Sequence, residues 1–249
     1  MIQLFVVFER IIQIMNNDQK FVNPGKNQSV VVDGITYRRL CIKTHVITNE
    51  DNIVEVCEKY AKPLAKAGDT LVISEKAVAC TQGRAIPLAD IKPRKLAYFL
   101  SKHVTKTPVG IGLGMPETME MALRECGTLR ILFAAVVSVI GKLFKKSGWF
   151  YIVAGDRARS IDGPCHYTLP PYNKYVVLGP QNPAKTASEI SAKLGINVAI
   201  IDANDLGCVI LGSSKGAPNN ETLCKILKDN PLGQTNEQTP MGIIRADKE

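Results

Sequence analysis

The 249-residue chain lacks several things, and each lack removes a class of function. No apolar stretch reaches the roughly 18–20 uncharged residues that a membrane-spanning helix needs. The longest after the N-terminus, residues 131–140 (Ile-Leu-Phe-Ala-Ala-Val-Val-Ser-Val-Ile), is too short to span a bilayer and reads as a core element. The seven cysteines (Cys41, Cys57, Cys80, Cys126, Cys165, Cys208 and Cys224) are odd in number and never spaced C-x-x-C. That argues against a disulfide framework and against a zinc ribbon, and it makes a reducing compartment, by default the cytoplasm, the expectation. Aromatic residues are only 6% of the chain, and no basic run is interleaved with them as on an RNA-stacking surface. Neither nucleic acid nor a membrane is expected as a partner. Three common catalytic devices are missing as well. There is no G-x-x-x-x-G-K-[ST] phosphate loop, because Gly141-Lys142 is followed by Leu143, which has no hydroxyl for a metal; no G-x-S-x-G elbow and no H-E-x-x-H occur.

What the chain does have is positive charge. Lys and Arg number 31 against 23 Asp and Glu, a formal +8, and the excess is uneven. Residues 200–249 hold 5 basic and 7 acidic side chains, which leaves +10 on the first 199. Such a body suits an anionic substrate, although a solvated lysine-rich surface gives the same count. Residues 1–15 are apolar apart from a few polar positions such as Glu9 and Arg10, with no basic leader before them and no small-residue cleavage site after. They read as an amphipathic extension or an over-long start rather than a cleaved signal peptide. Residues 1–28 are therefore expected to precede one α+β domain over 29–249, either undivided or built of two intertwined subdomains.

Residues 30–37 signal a hairpin, with Asp33-Gly34 supplying the positive φ angles of a tight turn between β-branched runs. A second extended run covers 40–47. Thr48 is expected to cap a helix whose face is Ile53, Val54, Cys57, Ala61 and Leu64. A short buried strand at 70–74 should run into a polar loop. Pro93 and Pro116 open two further helices, the first with an apolar stripe of Leu96, Phe99, Leu100 and His103, the second with Met119, Ala122, Leu123 and Cys126 facing inward. Between 127 and 154, helix and strand cannot be separated by periodicity. Later come strands at 175–178, 198–202 and 209–211, a helix at 183–194, a flexible stretch at 212–216, and a short helix at 221–228 before a polar tail. Strict β-α alternation is absent, so the fold class is α+β with mixed sheets and flanking helices.

Four places could carry chemistry. Gly110 to Thr118 has the spacing G-x-G-x-G before a helix, which suits either an anion-binding loop or a tight structural turn. Residues 198–207 put Asp202 at the end of an apolar strand, with Asn204 and Asp205 close behind. Two carboxylates and an amide oxygen within four residues suit a hard cation, or equally an Asx-rich turn. Asp162 precedes Gly163-Pro164 and follows Arg157 and Arg159, in a pattern typical of a turn. Residues 68–84 run from strand to loop: Glu75 and Lys76 leave the strand's end, Gln82-Gly83-Arg84 makes a turn, and Lys76 and Arg84 there suit phosphate or carboxylate recognition. His45 and His103 read as structural histidines, and nothing near Cys165 and His166 completes a nucleophilic pair.

The order of these segments resembles the ligases that add γ-linked glutamate to the precursor of the deazaflavin coenzyme F-420. Four blocks carry the resemblance over roughly residues 43–212: the strand and loop 68–84, the turn at Ile161-Asp162, the stretch 180–187, and the strand 199–202 with its Gly207 turn. The resemblance implies a two-part α+β fold assembled as a homodimer, with GTP and a divalent ion (Mg²⁺ or Mn²⁺) near the dimer interface. In that family GTP phosphorylates a substrate carboxylate, and the amine of L-glutamate attacks the acyl phosphate to give an amide. The family's metal aspartates match Asp162 and Asp202, with Asp205 a nearby substitute and Asn204 completing or orienting the site. Lys76 and Arg84 would contact phosphate or substrate carboxylate, alongside Gln82 and Gly83. The chain departs from the pattern where the family has a Ser-Lys pair and a Glu, since Ala79, Cys80 and Gln82 stand there. It departs again after Asp162, where Pro164-Cys165 replaces Ser-Asn. The leading expectation is a GTP- and metal-dependent amide ligase acting on a carboxylic acid acceptor, which requires Asp162 and Asp202 to share an ion. The alternatives are a non-catalytic nucleotide- or metabolite-binding protein on the same fold, and a structural or regulatory partner using residues 1–15 as an arm.

Overall fold

The computed structural model describes residues 21–104, 112–144, 146, 148–205 and 207–247, so residues 1–20 of the expected extension lie outside it. In chain order the elements are β1 (Ser29–Val32), β2 (Ile35–Ile42), α1 (Ile53–Tyr60), β3 (Thr70–Ser74), α2 (Glu75–Thr81), β4 (Ala85–Pro87), α3 (Lys95–Ser101), α4 (Pro116–Glu125), α5 (Thr128–Leu143), α6 (Trp149–Ala154), α7 (Asp156–Arg159), β5 (Tyr175–Val177), α8 (Pro183–Leu194), β6 (Asn197–Asn204), β7 (Gly207–Ser213), α9 (Asn220–Ile226) and β8 (Met241–Ala246). The fold is mixed α+β. The chain forms two units, one from residues 1–81 with 182–249 and the other from 82–181.

The first unit is built on a six-stranded mixed sheet in the order β1-β2-β8-β3-β6-β7. Only β3 and β6 run parallel; every other neighbouring pair is antiparallel. The Asp33-Gly34 turn has both φ angles positive, at 50° and 82°, which matches the twist of the flanking strands and joins β1 to β2 as the dipeptide predicts. Side chains alternate across the sheet. Val72, Ala199, Ile201, Cys41 and Ile244 pack on one face with Leu223, Ile226 and Leu227 around α9. On the opposite parity Leu71, Ile73, Val198, Ile200 and Ile243 are equally buried.

The segment expected to be a polar tail supplies β8, a strand in the middle of the sheet between β2 and β3. Its six residues are too few for a periodicity signal, and a distant ion pair helps to fix them. The Arg245 guanidinium forks onto the buried Asp69 carboxylate, Nε to Oδ1 at 2.9 Å and Nη2 to Oδ2 at 2.7 Å. Two smaller expectations also change. The cap of α1 is Asn52, whose side chain accepts from the backbone N–H groups of Val54 and Glu55; Thr48 sits earlier and donates to Asp51. The stretch 212–216 is held rather than loose, with Ser214 N–H donating to Val198 O at 2.8 Å and Val198 N–H to Ser214 Oγ at 2.9 Å.

The second unit is mostly helical, with β4 and β5 paired as a short antiparallel ribbon. Met119, Ala122 and Leu123 of α4 face its core, together with Ile131 and Ala134 of α5, Ala154, Ala158 and Ile161. The ambiguous region 127–154 resolves into two helices. Residues 131–140 are not the core element their composition suggests. Ile131 and Ala134 are fully buried, but Phe133, Val136, Val139 and Ile140 face outward. On α3 the buried positions are Ala97, Leu100 and Ser101, so Phe99 and His103 leave the expected stripe and are exposed. Among the described residues no single helix is long and apolar enough to cross a membrane.

Candidate active site

β3 and β6 lie side by side with Thr70 opposite Asn197 and Ser74 opposite Ile201, so their carboxyl ends finish at the same edge of the sheet. Open sheets with parallel strands commonly bind ligands at such an edge, where the backbone opens into loops and helices. The next residues on the two strands are Glu75 and Asp202. Glu75 begins α2 and is 4% exposed, an unusual place for a carboxylate without a task. It was legible only as an acidic residue directly after an apolar run, and sequence reasoning gave it no role. Lys76 follows it on the exposed side of α2.

Asp202 lies inside β6 rather than in a turn, because the hairpin with β7 continues to the pair Asn204–Gly207. Asp202 and Asn204 stand two residues apart on a strand, which places both on one face. Both are half-buried. Burial first, then the hydrogen bond and the charge interaction with Cys224, push the pKa of the Cys208 thiol up to about 12, and the negative charge of Asp202 adds the smallest share. Asp205 is used differently. It stands in the turn and accepts from Gln234 Nε2 at 2.9 Å and Asn230 Nδ2 at 3.5 Å, with Lys26 Nζ 3.6 Å away. Its carboxylate ties the turn to the segment after α9.

The donors of this corner are hard oxygens, two carboxylates and an amide, and no soft ligand is needed. Among the described residues no three His, Cys, Asp or Glu side chains gather as a metal cage. A cation that keeps waters and takes phosphate oxygens, as Mg²⁺ does, fits a donor set of this size; one demanding an all-protein shell does not.

The remaining sequence candidates belong to the second unit. Gln82 and Gln181 are its first and last residues, and the Gln82 amide clamps the backbone between them. Its Nε2 donates to Gln181 O at 3.0 Å, and its Oε1 accepts from Gln181 N–H at 2.7 Å. Gly83 follows with φ +68°, a conformation that favours glycine. Arg84 donates through Nε to Gly179 O at 2.5 Å and pairs through Nη2 with Glu125 Oε1 at 2.7 Å. Asp162 is pinned to β5, its N–H donating to Val177 O at 2.8 Å and its C=O accepting from Val177 N–H at 2.9 Å. That pairing holds the Asp162 backbone in a defined place beside a strand, which an ordinary surface turn would not require.

The expected polar loop after β3 is the helix α2, and this changes what two of the departures mean. Ala79 is fully buried and Cys80 is 4% exposed, so both fill the interior behind α2. His45 is structural, with Nδ1 2.9 Å from the Tyr60 hydroxyl and Nε2 2.8 Å from Asp51 Oδ1. Gly110 and Ile111 of the glycine-rich stretch lie outside the described residues; α4 starts at Pro116.

No curated protein matches the chain. A family model does match it, that of F420-0:Gamma-glutamyl ligase, over residues 41–206. The match covers about two-thirds of the sequence, starts in β2, ends in the turn after β6, and contains every element that carries Glu75, Lys76, Arg84, Asp162 and Asp202. On that evidence the chain belongs to the F420-0:gamma-glutamyl ligase family, a family of carbon–nitrogen bond-forming ligases.

Proposed function

We propose that the protein is a GTP- and divalent-metal-dependent ligase that activates a carboxylic acid as its acyl phosphate and joins it to the amine of L-glutamate. The observation that carries this reading is that Glu75 and Asp202 directly follow Ser74 and Ile201, the last paired residues of neighbouring parallel strands, within a chain of this ligase family. The γ-phosphoryl group passes from GTP to an oxygen of the acceptor carboxylate, and GDP leaves. The glutamate amine then attacks the acyl carbon, phosphate departs with the C–O electron pair, the nitrogen loses a proton, and an amide remains.

A hard divalent ion, when bound, neutralises phosphate charge and lowers the cost of crowding anions together. Asp202 would hold it, with Asn204 orienting, and Asp162 is the second aspartate that the resemblance matches. Lys76, on the exposed side of α2, meets phosphate or carboxylate oxygens as a point charge. Gln82 and Gly83 shape the backbone where the chain enters the second unit, and Arg84 acts through the placement of that backbone. The protein works as a homodimer in this reading, as the resemblance implies.

A second reading, a nucleotide- or metabolite-binding protein without turnover, is favoured by one specific observation: the Arg84 guanidinium is already engaged by Glu125 and Gly179. The two readings separate in a single assay. The protein is incubated with GTP, Mg²⁺ or Mn²⁺, L-glutamate and a panel of carboxylic acids, and GDP, phosphate and amide are followed. Stoichiometric release of all three with at least one acid supports the ligase. A melting temperature raised by GTP and metal with no turnover across the panel supports the second reading.

A further inference from the structure

Helix α5 is apolar on two sides. Ile131, Ala134 and Gly141 face the core of the second unit, while a separate stripe of Leu129, Phe133, Val136, Ile140 and Leu143 faces out, at 83%, 62%, 57%, 42% and 78% exposure. The steps of four, three, four and three residues keep that stripe on one side of the helix. Phe144, 68% exposed, extends it beyond the last turn. A soluble helix ordinarily turns polar residues outward, and exposed apolar patches this extensive mark a surface that something else covers.

The charge around the stripe decides what covers it. From residue 126 to residue 155 the sequence has no Asp or Glu, while Arg130, Lys142, Lys145 and Lys146 are basic. Among the described cations of this stretch, Arg130, Lys142 and Lys146 are all exposed. The imbalance extends to the whole unit. Residues 82–181 hold 14 Lys and Arg against 6 Asp and Glu, the entire +8 of the chain, whereas the other unit holds 17 of each. A second copy of this chain laid on the stripe would set like charge against like. An apolar surface fringed with negative charge meets both features, and a bilayer containing anionic lipids is such a surface. The helix is too short to cross one. Its 16 residues span only about 24 Å at the usual rise, against a hydrocarbon core of about 30 Å. It is long enough to lie in the interface with its outer stripe among the acyl chains and its lysines at the headgroups.

We propose that the outer face of α5 docks the protein onto anionic membrane surfaces. This goes against the sequence-based expectation of no membrane partner, which took residues 131–140 for core. The chain carries its own reporter. Trp149, the only tryptophan, packs on the C-terminal turn of α5, where a Cβ added to Gly141 would lie 3.0 Å from the indole.

The test is co-sedimentation of the full chain with vesicles of phosphatidylcholine alone or mixed with phosphatidylglycerol, with Trp149 emission followed in parallel. Binding to the phosphatidylglycerol vesicles, weakened by salt and accompanied by a blue shift, is the expected result. The double variant Phe133→Glu, Leu143→Glu changes two exposed positions, so its circular dichroism should match the parent while its vesicle affinity falls at least about tenfold. Three outcomes overturn the proposal. One is no binding of the parent to anionic vesicles. Another is undiminished binding of the folded double variant, which would place the contact elsewhere, for example in residues 1–15. The third is a parent dimer that ignores vesicles and that the double variant splits, which would make a second copy the cover.

Discussion

Arg84 and Glu125 form a nearly buried ion pair at 2.7 Å, their side chains 12% and 16% exposed. The pair joins the start of the second unit to the end of α4, and Arg84 also holds Gly179 O on the returning chain. Removing one partner of such a pair strands a charge away from water. Glu125→Ala should therefore cost about 3 kcal/mol of stability, whereas an exposed pair would cost under about 1. Urea denaturation of the variant checks this. In the proposed function Arg84 acts by positioning, so loss of ligase activity in Arg84→Ala should come with the same loss of stability.

Lys76 should behave in the opposite way. It is exposed on α2, so Lys76→Ala is expected to leave stability within about 0.5 kcal/mol of the parent. In the proposed function Lys76 meets phosphate or carboxylate, so its loss should lower turnover about a hundredfold. Melting curves measured beside steady-state rates separate the two effects. Unchanged turnover would remove Lys76 from the site.

Gly212 of β7 touches the start of α8 so closely that a Cβ there would lie 2.3 Å from Ala184 N and 2.6 Å from Pro183 C. These are backbone atoms and cannot swing away, so Gly212→Ala should destabilise by about 1–3 kcal/mol through forced separation of strand and helix. The same substitution at Gly207, with nothing within 4 Å of its added Cβ, should cost far less. Equilibrium unfolding of the two variants side by side is the measurement.

Acid should weaken the fold partly through Glu120. Burial alone would raise its pKa, but hydrogen bonds from the Arg124 side chain and from the backbone and side chain of Arg94 hold the carboxyl below its ordinary value. A depressed folded-state pKa contributes stability above the unfolded value of about 4.3, and that contribution is lost as pH falls through the folded value. The urea midpoint should thus fall on acidification below about pH 4.3. Glu120→Gln should be less stable near neutrality and show a shallower acid slope.

Elements that carry their own punctuation were legible. The helix Pro183–Leu194 begins at a proline and stops before Gly195, which takes the left-handed conformation at φ +74°. The hairpin turn at Asp33-Gly34 was equally plain. What failed were statements about partners far away in the chain. β8 is six residues whose place depends on β2, β3 and Asp69. Residues 75–81 look like a polar loop because the burial of Ala79 and Cys80 comes from neighbours, not from local pattern. Among the candidate site residues, Asp202, Asp162 and Lys76 were named from residue type and resemblance. Glu75 was passed over because only the parallel register of β3 and β6 puts it level with Asp202.

The central proposal, that Asp202 and Asp162 each contribute to metal-dependent binding of GTP, is tested most directly by calorimetric titration of GTP into the parent, Asp202→Asn and Asp162→Asn, each with and without Mg²⁺. The account predicts that the parent binds GTP in a Mg²⁺-dependent way and that each variant loses at least about tenfold of that affinity while keeping its melting temperature. Mg²⁺-dependent binding that survives unchanged in Asp202→Asn, or no binding of GTP by the parent, would contradict it.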